Sequence, residues 1–320
     1  MLEKQTFDVT LVGDCCLDLV LYGLPDVLPP ERELLAETMA MRLGGSATIT
    51  AHNLSRLGNA VGFVFASADD SFGRFCSERL GMARVNTTNA VPRLGGATGV
   101  SVLLQHAQSR HMFTYPGVTN SLRLVDIDLD YICRAGHFHM ASYYLQRSLT
   151  PEIPELLRRI KQRGLTISMD PNDDPENTWS PSILDALESV DIFMPNEREA
   201  RRVTGQDDLQ KSIEILRRRV PLLVIKRGVA GVSAFAASRE WQIPAYPLRT
   251  VDAIGAGDSF NAGFIHGYIR SWDVETCLRL GALTGAWSTT SSGGTDAFFH
   301  PESIEKMWDA WSSYERGFIG

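Results

Sequence analysis

A glycine turn followed at once by a carboxylate lies in the segment Thr250–Phe260, which reads TVDAIGAGDSF. Gly255 and Gly257 let the backbone turn sharply with its N–H groups exposed. Apolar residues at helical spacing follow, so the turn would lie at a helix N-terminus, which attracts anions. Such a site can offset the charge of a phosphoryl group in transfer, and Asp258 can take a proton from an attacking hydroxyl. Taken alone, the segment also fits a plain turn in which Asp258 only stabilises the helix dipole.

The elements that would hold this turn alternate between strands and helices. The pattern predicts a strand at Phe7–Val12, and from residue 44 onward strands and helices follow one another. This order predicts an α/β fold with a central, mostly parallel sheet and helices on both faces. Residues 15–43 and 97–119 break the alternation and are expected to pair into a small β lid. The lid is inserted, not independent, in a core made of residues 1–14, 44–96 and 120–320.

The charge balance and the cysteines limit the classes to which the protein can belong. With 31 basic and 38 acidic residues the net charge is −7, which argues against nucleic acid or an acidic membrane as a partner. No window approaches the ~20 apolar residues of a membrane span, and residues 1–12 lack the organisation of a signal peptide. The five cysteines form no C-x-x-C pair, so reduced thiols are the simpler interpretation. We therefore expect a cytoplasmic protein.

Further motifs occur in the order of one known family. The segment from Asp252 to Phe260 resembles D-x-x-G-A-G-D-x-F, the C-terminal signature of the ribokinase (PfkB) carbohydrate kinases. Gly44-Gly45, Ala51 and Arg56-Leu57-Gly58 resemble the N-terminal signature. The other matches are Asp69–Gly73, Thr98–Val102, Tyr115–Gly117, Asp170–Asn172, Pro195–Ala200 and Lys226–Gly228. Eight ordered matches identify the chain as a member of this family, which implies a ribokinase-like fold and an ATP-dependent kinase that uses Mg²⁺.

The resemblance implies roles at the catalytic end. The amides of Gly255, Ala256 and Gly257 would bind the phosphate oxyanion, and Asp258 would be the general base. In many relatives the loop before this turn holds a monovalent cation such as K⁺. The corresponding residues here are Asp252 and, through its backbone carbonyl, Ile254.

The nucleotide would lie on the C-terminal half of the chain. Asn196 and Glu199 match an N-x-x-E motif that organises Mg²⁺ and phosphates, with Glu199 acting through water. As an alternative, Glu199 is simply an acidic residue in the first turn of a helix. Lys226, Gly228 and Gly231 match strand-end positions that contact the nucleotide.

On the acceptor side, Asp14 and Asp18 match carboxylates that bind substrate hydroxyls, and Gly44 and Gly45 would let the backbone approach the same ligand. Asp14 could instead be a turn or N-cap residue. Ile49 stands where relatives carry an asparagine that contacts the sugar. A branched alkyl group removes polar contacts on which such sites discriminate, so Ile49 is expected to determine acceptor choice.

The sequence therefore leaves three classes of acceptor: a free sugar, a nucleoside and a phosphorylated sugar. The D-x-N-x-R-x-x-x-W pattern of some acid-sugar kinases is only partly met: Asp170, Asn172 and Trp179 are present, but no arginine lies between them. The resemblance therefore does not support a keto-acid sugar. A nucleoside is favoured if the Ile49 pocket accepts a base, whereas a sugar phosphate would need a basic residue such as Arg93 or Arg110. A non-catalytic ligand sensor is the remaining alternative, and the intact catalytic motifs argue against it. Because relatives often dimerise through the lid, a homodimer is also considered.

Overall fold

The computed structural model describes residues 6–106 and 110–316, which form fourteen strands and ten α-helices. The strands are β1 Phe7–Val12, β2 Cys16–Tyr22, β3 Thr38–Gly44, β4 Val61–Val64, β5 Ala66–Ser67, β6 Val91–Pro92, β7 Gly99–Gln105, β8 Arg110–Tyr115, β9 Ala135–Ala141, β10 Thr166–Asp170, β11 Ile192–Phe193, β12 Leu222–Lys226, β13 Val232–Ala236 and β14 Arg239–Ile243. The helices are α1 Ser46–Arg56, α2 Ser71–Met82, α3 Leu129–Ile132, α4 Ile153–Gln162, α5 Ser182–Ala186, α6 Glu197–Thr204, α7 Leu209–Leu216, α8 Ala256–Tyr268, α9 Val274–Ser288 and α10 Pro301–Arg316.

Eight strands form the main sheet in the order β14-β13-β12-β11-β10-β9-β1-β4. The six strands from β12 to β4 run parallel, and β13 and β14 add an antiparallel hairpin at one edge. Long connections that contain helices join the parallel strands, as parallel pairing requires. The predicted α/β class with a mostly parallel central sheet is confirmed.

Helices cover both faces of this sheet, so the interior has two layers. One apolar cluster lies under α3, α4, α5, α6 and α7, and the other lies under α1, α2, α8, α9 and α10. Helix α8 is buried nearly all round, which is typical of a helix in the middle of a large core. Its close approach to α9 depends on glycine, because a Cβ at Gly281 would come within 2.8 Å of the Phe260 ring.

A second sheet, called the small sheet below, contains four strands in the order β3-β2-β7-β8. Strand β2 pairs antiparallel with β3 and parallel with β7. These strands come from the two stretches predicted to form a lid, and the closing motion of such a lid stays a prediction. The turn predicted between β7 and β8 includes residues 107–109, which lie outside the described residues, as do residues 1–5 and 317–320 of the predicted core.

Polar residues collect where five adjacent parallel strands end. Carboxyl ends of parallel strands meet at one edge of a sheet, and this edge is the usual ligand site of open α/β sheets. In strand order from the hairpin side, the residues at or just after these ends are Lys226, Asn196, Asp170, Ser142 and Asp14. Across the ranges that the structure describes, no helix has the length and apolarity to cross a membrane.

Candidate active site

The turn before α8 has the features of the predicted anion site. Gly255 begins the helix with a φ of 70°, a left-handed conformation that favours glycine, and a Cβ there would come within 2.5 Å of Gly294. The first amides of a helix have no partner inside it and point toward a ligand. A Cβ at Gly257 would lie 3.4 Å from the ammonium nitrogen of Lys226. The positive end of the helix and the ammonium of Lys226 therefore both favour negative charge at this turn.

Asp258 lies in the first turn of α8 and is only 8% exposed. Burial raises the pKa of Asp258 to about 7; the charges of Asp170 and Asp14 also raise it, whereas Lys226 and the hydroxyl of Ser46 lower it. A carboxylate with a pKa near neutrality suits a general base, because it is ionised at working pH and still binds a proton well. The geometry is therefore compatible with the role predicted for Asp258.

An ion pair fixes the lysine of this site. Lys226 Nζ contacts the carboxylate of Asp170, which is fully buried, and Asn261 of α8 donates to the same carboxylate oxygen at 2.5 Å. Burial alone would lower the pKa of Lys226, but the charges of Asp170 and Glu199 outweigh it and raise the pKa. The lysine is thus held charged beside the turn. The sequence placed Asp170 in a motif without a role, and the structure shows it orienting Lys226.

Asn196 and Glu199 form a reciprocal cap at the start of α6. The Asn196 side chain accepts from the Glu199 amide at 2.9 Å, and the Glu199 carboxylate accepts from the Asn196 amide at 2.8 Å and from its side chain at 2.6 Å. Burial, then the charge of Asp170, raises the pKa of Glu199 to about 7, while Lys226 lowers it. Glu199 is thus an acidic residue in the first turn of a helix, as the alternative has it, and in addition part of the helix cap. Its carboxylate also interacts electrostatically with Lys226.

Gly228 and Gly231 lie in the turn that joins β12 to β13. Gly228 has a φ of 56° and open space around it. Gly231 has a φ of 88°, and a Cβ there would overlap the backbone at Ile243 and Pro244. The described contacts do not join this turn to Asp258, so its part in nucleotide binding stays a prediction.

Asp14 follows β1 and caps α1 from outside the helix. Its carboxylate accepts the amides of Ser46 and Ala47, each at 3.0 Å, and a Cβ at Gly45 would come within 2.8 Å of the Asp14 carbonyl oxygen. Burial raises the pKa of Asp14, although these amides and Ser142 lower it. The structural alternative for Asp14 is therefore realised, in a position that also faces Asp258.

Asp18 comes to the same region from the small sheet. It pairs with Arg42 of β3 and Ser101 of β7, and its side chain lies over Gly44, where a Cβ would overlap the carboxylate. Burial, followed by the charges of Asp14 and Asp258, raises the pKa of Asp18 to about 7. The structure thus brings the carboxylates of Asp14 and Asp18, which are close in sequence, together with that of Asp258 from a distant segment. Glycine at position 44 is needed for this packing within the protein.

A hydrogen-bonded bridge that the sequence did not indicate connects the end of β9 to the start of α1, near Asp258. The Asn172 side chain accepts from the Ser142 amide at 2.7 Å and donates to Ser46 Oγ at 2.8 Å. Because Ser46 Oγ accepts this bond, its own proton is free for Asp258, whose pKa the Ser46 hydroxyl lowers. Asn172 has a φ of 55° and Ser142 a φ of 58°, and backbone strain of this kind is common at functional sites.

Ile49 lies on the buried face of α1 and is 3% exposed. Its side chain packs on the two loops beside the anion site, within 3.2 Å of a Cβ built at Gly255 and 2.7 Å of one built at Gly294. Asn53, one turn further along α1, donates to Ser259 at 2.9 Å and to the Gly294 carbonyl at 3.0 Å. Ile49 therefore supports the turn, and its predicted contact with the acceptor stays a prediction.

Asp252 ties the same loops together. Its carboxylate accepts from the Ile254 amide at 2.9 Å, the Gly293 amide at 3.0 Å and the Tyr22 hydroxyl at 3.0 Å. Ile254 packs against Val20 and other apolar residues of the small sheet. The predicted cation loop is thus also a place where the small sheet touches the main body.

Together, a helix N-terminus, a charged lysine and a buried carboxylate at the carboxyl edge of a parallel sheet define a phosphotransferase site. Comparison with known proteins gives the same class. A model of the pfkB family of carbohydrate kinases matches residues 6–299.

Individual relatives are similar over nearly their whole length. 5-Dehydro-2-deoxygluconokinase of Geobacillus kaustophilus is 27% identical over 321 residues, which cover 95% of this chain and 94% of that protein. Cytidine kinase of Thermococcus kodakarensis is 30% identical over 280 residues, or 86% and 93% of the two chains. The structure of Arabidopsis thaliana ribokinase with ribose and ATP has a TM-score of 0.80 at 22% identity and covers 94% and 98%.

The chain belongs to the pfkB family of carbohydrate kinases, as its motifs predicted. It is an ATP-dependent kinase that acts on a sugar-like substrate.

Proposed function

We propose that this kinase transfers the γ-phosphoryl group of ATP to a hydroxyl of an uncharged, polyhydroxylated acceptor, with Asp258 as the general base. The observation that carries the proposal is the position of Asp258. It lies in the helix turn that contains the amides of Gly255–Gly257, and the ammonium of Lys226 lies beside the same turn and lowers the pKa of Asp258. Asp14 and Asp18 interact electrostatically with the Asp258 carboxylate. A hydroxyl held by the two aspartates would face the phosphate across the catalytic carboxylate.

In this proposal the residues divide the work of the reaction. Asp258 accepts the proton of the attacking hydroxyl, and with a pKa of about 7 it is partly ionised at neutral pH and still binds a proton well. The Gly255–Gly257 amides and Lys226 bind the phosphate oxygens, whose negative charge must be offset during transfer. The small sheet closes over the acceptor as a lid and excludes water, so that the phosphoryl group does not pass to solvent.

The nucleotide and its metal are assigned to the region around Lys226. Asn196, Glu199 and Lys226 converge at the ends of β11 and β12, and Gly228 and Gly231 would border the same nucleotide. Buried carboxylate oxygen at Glu199 fits Mg²⁺, which prefers oxygen ligands and keeps several waters. Bound there, the ion would neutralise charge on the phosphates.

The carboxylates favour an acceptor without negative charge. Asp14 and Asp258 raise the pKa of Asp18, and Asp14 raises that of Asp258, so a carboxylate or phosphate on the acceptor would add a further like charge. The nearby cation of the small sheet, Arg42, is paired with Asp296 at 2.9 Å. Among the similar proteins, several are named for a sugar acid and one for cytidine, so similarity alone does not choose the acceptor.

The sugar-phosphate alternative needs a basic residue at the acceptor, and neither candidate supports it. Arg93 pairs with Asp126 at 2.5 Å and donates to the Ser121 carbonyl at 2.9 Å. Arg110 is exposed and pairs with Gln105 at the end of β7. Free sugars and nucleosides, both uncharged, remain the proposed acceptors.

A monovalent cation at Asp252 and the Ile254 carbonyl is proposed as a modest activator. The Asp252 carboxylate already accepts three hydrogen bonds, and a carboxylate offers about four lone-pair positions. A cation would therefore share the carboxylate with protein donors. We expect K⁺ to change turnover only a few-fold relative to Na⁺, and turnover measured in both salts tests this.

We also propose that two copies of the chain associate through the small sheet. Its face away from the main body is apolar, and Phe113 and Tyr115 on edge strand β8 are 60% and 59% exposed. Exposed apolar surface on an edge strand invites pairing with another copy. Sedimentation should give a dimer for the wild type and a monomer for Phe113→Glu; equal masses would remove the proposal.

Acceptor class is tested by ADP release across a panel with MgATP. Neutral sugars and nucleosides should be used with a kcat/KM at least about tenfold above sugar acids and sugar phosphates, since one unpaired like charge in a buried site costs this much or more. Asp18→Asn removes one carboxylate and should reduce the difference in kcat/KM between neutral and negatively charged acceptors. A sugar acid as the best acceptor, with no change in Asp18→Asn, would contradict the proposal.

A further inference from the structure

Tyr22, the last residue of β2, joins the small sheet to the catalytic turn. Its ring packs with Val20, Leu103 and Ile254, and Ile254 directly precedes the glycine turn. Its hydroxyl contacts the carboxylate of Asp252 at 3.0 Å, across 230 residues of sequence. Ring and hydroxyl therefore contact the two sides of the same short loop.

The hydrogen bonds of Tyr22 have one consistent direction. A phenol carries a single proton, and an ionised carboxylate only accepts, so Tyr22 donates to Asp252. The Ser292 hydroxyl is also bonded to the Tyr22 oxygen. Since the phenol proton is used, Ser292 must be the donor in that bond. The two aligned hydroxyls polarise each other and strengthen the bond to the carboxylate.

Asp252 collects these bonds at the junction of two loops. Its carboxylate accepts the amide of Ile254 from its own loop and the amide of Gly293 from the loop after α9. The second loop then runs against Gly255, with no room for a side chain between them. Of the three donors, only Tyr22 is a side chain and only Tyr22 comes from the small sheet. Holding this carboxylate sets the spacing of the two loops that enclose Gly255.

We propose that Tyr22 is a positioning residue for phosphoryl transfer: through Asp252, its hydroxyl holds the Gly255–Gly257 turn in the conformation that presents the amides to the phosphoryl group. This inference rests on the proposed function, which gives the turn its role. It makes the small sheet part of the phosphate site as well as a cover for the acceptor. The turn has its working geometry only while β2 lies against it.

Tyr22→Phe tests the inference, because it keeps the ring and removes the donor. We expect kcat to fall about tenfold, the scale of one hydrogen bond to a charged group, with KM for ATP and acceptor changed by less than about threefold. Amide hydrogen exchange in a peptide spanning residues 252–257 of the protein without ligands should become several-fold faster. Turnover should also become more dependent on K⁺, since a lone pair of Asp252 is released.

Tyr131→Phe is the matched control. It removes a phenol that bonds Asn86 at 2.8 Å on another side of the protein, and it should leave kcat and exchange at residues 252–257 unchanged. Ser292→Ala should lower kcat and speed exchange at residues 252–257 as Tyr22→Phe does, but by less. It replaces Tyr22→Phe as the test variant if Tyr22→Phe does not fold.

The inference is overturned if Tyr22→Phe, or Ser292→Ala in its place, matches the control in kcat, exchange and K⁺ response. Failure of the proposed function is separate, because it would show as full turnover in Asp258→Asn. An inactive Asp258→Asn beside an unaffected Tyr22→Phe would remove only the role of Tyr22.

Discussion

Replacing Asp258 by asparagine should make the protein more stable at alkaline pH while it removes turnover. The side chain is 8% exposed, and burial raises its pKa from the ordinary 3.8 to about 7. Above pH 7 the folded protein must hold an ionised carboxylate away from water, at a cost in free energy of unfolding. Asparagine has nearly the same shape, can still accept the Ser46 hydroxyl and carries no charge.

The magnitude follows from linkage between proton binding and folding. A carboxyl group whose pKa rises on folding contributes stability that is complete below about pH 4 and is lost as the pH rises through 7. The difference between 3.8 and about 7, at roughly 1.36 kcal/mol for each pH unit, amounts to at most about 4 kcal/mol at pH 8. The wild type should lose this stability between pH 4 and pH 8, and Asp258→Asn should not.

Urea unfolding of the ligand-free protein at pH 5 and pH 8 measures the effect. The free energy of unfolding of Asp258→Asn should exceed that of the wild type by several kcal/mol at pH 8 and by much less at pH 5. Asp309→Asn, at an exposed position of α10, controls for the loss of one negative charge. A difference between Asp258→Asn and wild type that is the same at both pH values would refute the raised pKa, and with it the reason given for Asp258 as base.

Three further substitutions test the site. Gly257→Ala should fold, since its Cβ meets only the end of Lys226 at ordinary contact distance, but kcat should fall tenfold or more because the amides approach the phosphoryl group less closely; an unchanged kcat would remove the anion site as drawn. Asp18→Asn should raise the acceptor KM about tenfold with little effect on ATP binding, and an unchanged KM would exclude Asp18 from the acceptor site. Ile49→Asn should change the kcat/KM for ribose or fructose relative to that for the preferred acceptor. Because it buries an amide against Gly294, it should also lower the free energy of unfolding by about 2 kcal/mol or more. A constant kcat/KM ratio in a folded, active variant would place the acceptor elsewhere.

Much of the fold followed from local pattern. The pattern of apolar segments predicted strands and helices in alternation, and their order predicted the parallel sheet. A helix satisfies its hydrogen bonds within itself, and a buried parallel strand is apolar on both faces. Each therefore leaves a recognisable hydrophobic pattern within a short stretch of sequence. The antiparallel hairpin of β13 and β14 lacked such a signal, because Arg239–Ile243 is largely exposed and its residues are not those of a buried strand.

The candidate site was predictable where one segment carries it and unpredictable where distant segments meet. Gly255–Asp258 bears its chemistry in four consecutive residues. Asp170, Ser46 and Asn172 act only through partners far away in sequence, and no spacing rule connects them. Tyr22 lay in a stretch interpreted as lid, and its contact with Asp252 depends on how two sheets pack. The D-P-N run was the one available signal for Asp170 and Asn172, and it gave no role.

The central claim is that Asp258 takes the proton from an uncharged acceptor during transfer from ATP. The most direct measurement compares acceptor-dependent ADP formation by wild type and Asp258→Asn, with MgATP and the best neutral acceptor of the panel, and with nucleotide affinity measured for both. We predict one phosphorylated acceptor for each ADP in the wild type, a fall in kcat of a hundredfold or more in Asp258→Asn, and similar nucleotide affinity. Retention of more than about a tenth of the turnover by Asp258→Asn would contradict the account.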